Sequence, residues 1–169
     1  MKKAAIIGVI SLCAAGIMTA VLLRGCNTVL PPSSWGETFA PDLISDEAWR
    51  ESIAKDPSAH GYSGYSILKD RNSDAAIPEG LRDLKSKDAY VWLNAALYLG
   101  SRKRPEAVPY LIKALRHSAW RSDEETVRLL QGLTGQTFGN EFKKWRDWYE
   151  TQQDRIELDW DSSLGSSPR

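Results

Sequence analysis

The chain has 169 residues, with 22 Lys and Arg balanced against 22 Asp and Glu. Removing Lys2, Lys3 and Arg24, which precede Cys26, leaves 19 basic against 22 acidic residues in the rest, so bulk nucleic-acid binding is excluded. The two cysteines, Cys13 and Cys26, are too few for a disulfide framework or a zinc cluster, and stability must come from packing.

Residues 4–23 form an uncharged, mostly apolar run, about the twenty residues that cross a bilayer core as a helix. Lys2, Lys3 and the terminal amine outweigh Arg24 on the far side. The positive-inside tendency therefore keeps the N-terminus in the cytoplasm and sends the remainder across the membrane. The run exceeds the roughly 7–15 residues of a removable signal's core, which favours a retained anchor, with Cys13 as a small apolar residue within it. Against this, Leu23, Gly25 and Cys26 resemble the bacterial lipoprotein signal, in which a small residue precedes a lipidated cysteine; Arg24 departs from that pattern. A retained helix over residues 1–26, lipidation of Cys26 and complete removal remain open, and the first two tether the later domain to a membrane.

Residues 27–44 read as an extended linker, because Pro31, Pro32, Gly36 and Pro41 interrupt any periodicity. Trp35 and Phe39 within it either dock on the first helices, the favoured reading, or rest at the lipid interface. Ser45 is a helix N-cap with Asp46 and Glu47 in the first turn, and the helix runs through Trp49 and Ile53 to about Lys55. Asp56 and Pro57 end it.

The centre of the chain is residues 88–115. Val91, Ala95, Leu97, Tyr98 and Leu99 recur at helical spacing; Gly100 with Arg102, Lys103, Arg104 and Pro105 then stops that helix and starts another. In the second helix Val108, Leu111, Ile112 and Leu115 fall on one stripe. A shift of 31 positions lays AAIPEGLRDL (residues 75–84) over EAVPYLIKAL (106–115), and SGYSILK (63–69) over NAALYLG (94–100). Pro78 and Pro109 then both fall near the start of a second helix, where a missing N–H costs little; one step deeper, each would bend its helix or begin it as a 3₁₀ turn. A looser third copy, TVRLLQGLTG (126–135), overlies YVWLNAALYL (90–99) at a shift of 36. Ser122 with Glu125 makes a capping box before it, Gly135 ends it, and Asn140 is expected to cap a last helix carrying Phe142, Trp145 and Tyr149 on one stripe. A fixed period of this length marks a stacked array, in which each hairpin hides its apolar face against the next. The fold expected for residues 45–153 is all-α, a short α-solenoid of about three helical hairpins.

Asp88, Val91, Ala95, Ala96, Leu99 and Gly100, followed by EAVPYL at residues 106–111, resemble a HEAT repeat of the bacterial HEAT-like type. Leu133, Thr134, Gly135, Gln136, Phe138, Gly139, Trp145 and Trp148 resemble the end of such arrays in bacterial envelope proteins. The resemblance covers about residues 59–151; the first unit departs from it, with Tyr62, Ser63 and Ser66 where Ala and Leu are expected. It implies a binding scaffold whose second helices line a concave side, whereas the periodicity itself speaks only for stacking.

On those second helices Arg82, Tyr110, Lys113, Arg116 and His117 lie off the apolar stripe and are the candidate protein-binding residues; Tyr and Arg are favoured interface anchors. The loop cations Arg102, Lys103 and Arg104 read as solvated, with an anionic partner or a lipid headgroup as the alternative. His60 and His117 have no metal-ligand spacing, and there is neither a phosphate loop nor a nucleophile motif, so no cofactor, metal, small-molecule substrate or catalysis is expected. The tail, residues 154–169, is expected to be disordered, with Trp160 either a short recognition peptide or an anchor on the last helix. The resulting expectation is a non-catalytic, membrane-tethered scaffold that binds another protein outside the cytoplasmic membrane. A structural lipoprotein subunit of an envelope assembly is the alternative.

Overall fold

A computed structural model describes residues 41–116, 123–152 and 157–160. Among these the chain is all-helical, without a strand: α1 (Asp46–Lys55), α2 (Pro57–Asp70), α3 (Ile77–Asp83), α4 (Ala89–Ser101), α5 (Val108–Leu115), α6 (Asp123–Thr134) and α7 (Phe142–Glu150), with 3₁₀ turns at Pro41–Leu43 and Pro105–Ala107. The apolar run of residues 4–23, Cys26, Trp35, Phe39, His117 and Ser122 lie outside the described residues. No helix among the described residues is long and apolar enough to cross a membrane.

The helix boundaries follow from local chemistry. The Ser45 hydroxyl accepts from the Ala48 N–H at 3.2 Å, satisfying an orphan donor at the start of α1. Asp56 and Pro57 do more than end α1. The Asp56 carboxylate accepts from the Ala59 N–H at 3.0 Å, and Pro57 occupies the first position of α2, where its missing donor is harmless. Pro78 and Pro109 are each the second residue of their helices, and α5 is entered through the Pro105–Ala107 3₁₀ turn.

The turns after α2 and α4 are built alike. The Arg71 N–H donates to the Ile67 carbonyl (3.0 Å), Asn72 to Lys69 (2.9 Å) and Ser73 to Leu68 (2.9 Å); 31 positions on, Arg102 donates to Tyr98 (3.1 Å), Lys103 to Gly100 (3.0 Å) and Arg104 to Leu99 (2.9 Å). The bond from five residues beyond its acceptor, with a left-handed residue just before the donor, is the Schellman way of satisfying terminal carbonyls. Those left-handed residues are Asn72 and Lys103, so Gly100 does not stop α4 as expected from its residue type. Gly100 lies inside the helix for a packing reason: a Cβ there would stand 3.1 Å from Leu111 Cδ1 and 3.2 Å from Leu129 Cδ1.

Helix α4 packs against α2, α3, α5 and α6; α5 reaches on to α6 and α7, and α1 covers α2 and α3. One apolar cluster runs through them all, from Trp49, Ile53 and Leu68 through Leu99, Leu111 and Ile112 to Leu130 and Trp145. Polar ties add further links between the elements. The Tyr98 hydroxyl donates to the Ser73 carbonyl (2.9 Å) and accepts from the Ala76 N–H (3.2 Å), so a residue of α4 fastens the turn of the preceding hairpin. The Lys69 ammonium meets Glu125 at 2.8 Å, bridging α2 to α6.

The last hairpin departs from the others. Gly135, at φ +74°, follows α6 directly, and Gly139 has φ +60°. Asn140 does not cap α7: the helix begins at Phe142 after Glu141, with no side-chain cap. The entry is instead set by the Trp145 indole, whose N–H donates to the Gly139 carbonyl at 2.7 Å from a fully buried position. Beyond α7, Trp160 packs against the core.

Candidate functional site: the face of α5 and α7

Helix α5 places Tyr110 and Lys113 one turn apart, which puts both over Trp92 of α4. The Trp92 and Tyr110 rings lie 6.3 Å apart, and the Lys113 ammonium stands 5.5 Å from the Trp92 ring centroid. Lys113 is only 8% exposed, its stem laid along apolar surface and its charge directed at an aromatic face. Burial pushes its pKa below the usual lysine range, and the negative charge of Asp159 acts in the opposite sense.

Arg116 continues the same side one turn further on. Its guanidinium donates to the Trp160 carbonyl at 2.6 Å and lies 5.9 Å from the Phe142 ring centroid of α7. The Trp160 indole meets Phe142 and Tyr149 edge-on, at 6.0 Å from each. Beside this contact a cavity of about 450 Å³ is lined by Leu84, Lys85, Ser86, Lys87, Trp92, Tyr110, Lys113 and Leu158. Its lining joins the apolar side chains of Leu84, Trp92, Tyr110 and Leu158 with three lysines, of which Lys85 and Lys87 are exposed.

Of the candidate residues named from sequence, Tyr110, Lys113 and Arg116 are thus brought together. Arg82 is not among them. Its guanidinium bonds the Asp83 carboxylate (2.7 Å) and the carbonyls of Ile53 (3.4 Å) and Ala54 (3.3 Å), acceptors in the last turn of α1. His117 and Cys26 lie outside the described residues.

A second concavity, of about 270 Å³, runs across α2, α4 and α6, where the sequence pattern places no site. Tyr62 and Tyr90 stand on its rim, 68% and 41% exposed, above Ser66, Asn94, Leu97 and the Lys69–Glu125 pair. A signal for it is present in the sequence: Tyr62 and Ser66 are positions at which the first unit departs from the repeat pattern.

Comparison with protein-family models, with characterised proteins and with solved structures returned no match.

Proposed function

We propose that the chain is a membrane-tethered, HEAT-like α-solenoid that serves as a non-catalytic scaffold, binding another protein outside the cytoplasmic membrane of a bacterial cell. The observation that carries this reading is the reuse of one turn geometry at a spacing of 31 residues, which supports a repeated hairpin stacked on its neighbours. Stacking of such units creates extended faces, and binding is the use such faces serve. The aromatic and cationic face formed by Tyr110, Lys113 and Arg116 has the composition of an interface anchor site. The tether is the apolar run of residues 4–23 or a lipid on Cys26.

The test is site-specific photo-crosslinking from the full chain in intact envelopes, with the crosslinker placed in turn at Tyr110, Arg116 and Tyr62. One protein captured from Tyr110 and Arg116 is the expected result. Contacts of equal strength from all three positions support a structural subunit, and no protein captured from any of them defeats the scaffold reading. Mass spectrometry of the native protein decides the tether: an unmodified mature form free of the membrane removes both forms of it.

A further inference from the structure

We propose that the face of α5 and α7 is a docking groove for a short extended peptide in which an apolar residue, a carboxylate residue and a bulky aromatic follow in order, and that residues 157–160 hold it in cis. The inference rests on the scaffold reading and supplies the chemistry of the partner.

The chain's own segment displays the recognition pattern. Burial alternates along it: Glu157 and Asp159 are exposed, while Leu158 and Trp160 are partly buried. That is the period of an extended strand, which sends every second side chain to the same side. Leu158 lines the cavity over Trp92 and Tyr110, and Trp160 sits on Phe142 and Tyr149. Arg116 reads the backbone through the Trp160 carbonyl, a contact that any residue type in that place can make. Asp159 supplies negative charge close to Lys113.

Residues 157–160 cover only part of this groove, which leaves room for an occupant that covers more of it. About 450 Å³ remains open beside Leu158. Lys85 and Lys87 in its lining are exposed, and among the described residues neither pairs with a carboxylate. A partner with an aromatic residue in the Leu158 place and further acids before it would cover more of the apolar lining and answer these two charges. A tethered segment competes at an effective concentration in the millimolar range, so the tail sets a threshold for the partner without abolishing binding.

The experiment uses the full chain in detergent micelles and a fluorescein-labelled peptide of sequence RIEFDWDSS, read by anisotropy. Binding to the Trp160→Ala chain is expected to be about tenfold tighter than to wild type, because the competing tail is weakened; Asp159→Lys, which alters the tail without removing a packed ring, should shift binding in the same direction. Adding Lys113→Glu and Arg116→Glu to the Trp160→Ala chain should abolish it. A scrambled peptide of equal charge should not bind. The proposal is overturned if wild type and both tail variants bind the peptide equally, if none binds it, or if the scrambled peptide binds as well as the ordered one. Retained photo-crosslinks from Tyr110 alongside any of those results would leave the scaffold intact and remove only this recognition chemistry; loss of the crosslinks would remove the scaffold.

Discussion

Asn72 and Lys103 stand 31 positions apart and both adopt the left-handed backbone, at φ +56° and +55°. Each follows the last turn of a helix and precedes a residue whose N–H reaches back to close it, Ser73 in one case and Arg104 in the other. Neither is glycine, so the conformation is imposed by the hairpin. Arg102 binds the two turns together, donating to Asn72 Oδ1 at 2.5 Å and pairing with Asp74 at 2.8 Å.

Replacement of Lys103 by glycine should therefore stabilise the protein. A left-handed L-residue costs about 1–2 kcal/mol, and glycine's extra backbone entropy returns roughly 0.5–1 of that. A net gain of about 0.5–1 kcal/mol is expected in urea denaturation. The same change at Asn72 should give no gain, because Asn tolerates this conformation better and its side-chain oxygen accepts the Arg102 bond.

The repeat was legible in the sequence because identity and periodicity act together: Pro78 over Pro109 and Leu84 over Leu115 mark corresponding points of the second helices. What ends each first helix was not, since Asn72 and Lys103 share no chemistry, and Gly100 offered a more obvious stop that packing uses instead. At the site, helical spacing placed Tyr110, Lys113 and Arg116 along one side of α5, and the structure brings them together. Arg82 was named with them, and its bonds to the end of α1 depend on where that helix ends, a tertiary fact. The seating of Trp160 depends on contacts with Phe142 and Tyr149 that no local pattern encodes.

Leu111 is fully buried between α4 and α6 and belongs to the apolar cluster that runs through all the units. Leu111→Ala should cost about 2–5 kcal/mol, the transfer of the side chain plus the cavity left behind. Hydrogen exchange should show α2 and α6 loosening together with α5. Units that opened independently would contradict a shared core.

Two glycines inside helices should respond in opposite directions to alanine. At Gly64 the new methyl would stand 2.7 Å from Ile53 Cδ1 and 2.8 Å from Cγ1, and Ile53 is fully buried against α2, so Gly64→Ala should destabilise by about 1–3 kcal/mol. Gly132 has nothing within 4 Å of the same position, and Gly132→Ala should stabilise α6 by about 0.5–1 kcal/mol through helix propensity alone. Thermal melting of the two variants, rising for one and falling for the other, is the check.

Arg82→Ala removes the donors that close α1 and the charged partner of the buried Asp83 carboxylate, and its effect should be read in stability: a loss of about 1–3 kcal/mol, with photo-crosslinking from Tyr110 unchanged. Arg116→Ala should do the reverse, leaving the melting temperature within a few degrees while altering capture at that face, since Arg116 is exposed and its guanidinium holds the tail through the Trp160 carbonyl.

Tyr65 gives the fold an alkaline limit. Its hydroxyl is buried and donates to the Asp83 carboxylate at 2.8 Å; burial, then the charge of Asp83, pushes its ionisation far above the usual tyrosine range. In the unfolded chain the same phenol loses its proton near pH 10. The unfolded state therefore binds fewer protons than the folded state above that pH, so stability is fully present below about pH 10 and falls as pH rises beyond it. The limiting slope for one fully shifted group is about 1.4 kcal/mol per pH unit. Tyr65→Phe should flatten this alkaline limb. At neutral pH it should still cost about 1–3 kcal/mol, because Asp83 Oδ2 loses its donor while only Oδ1 keeps the bond to Arg82. Urea denaturation of both proteins between pH 7 and pH 11 measures the two effects separately, and equal alkaline slopes would show that Tyr65 ionises in the folded state as it does in the unfolded one.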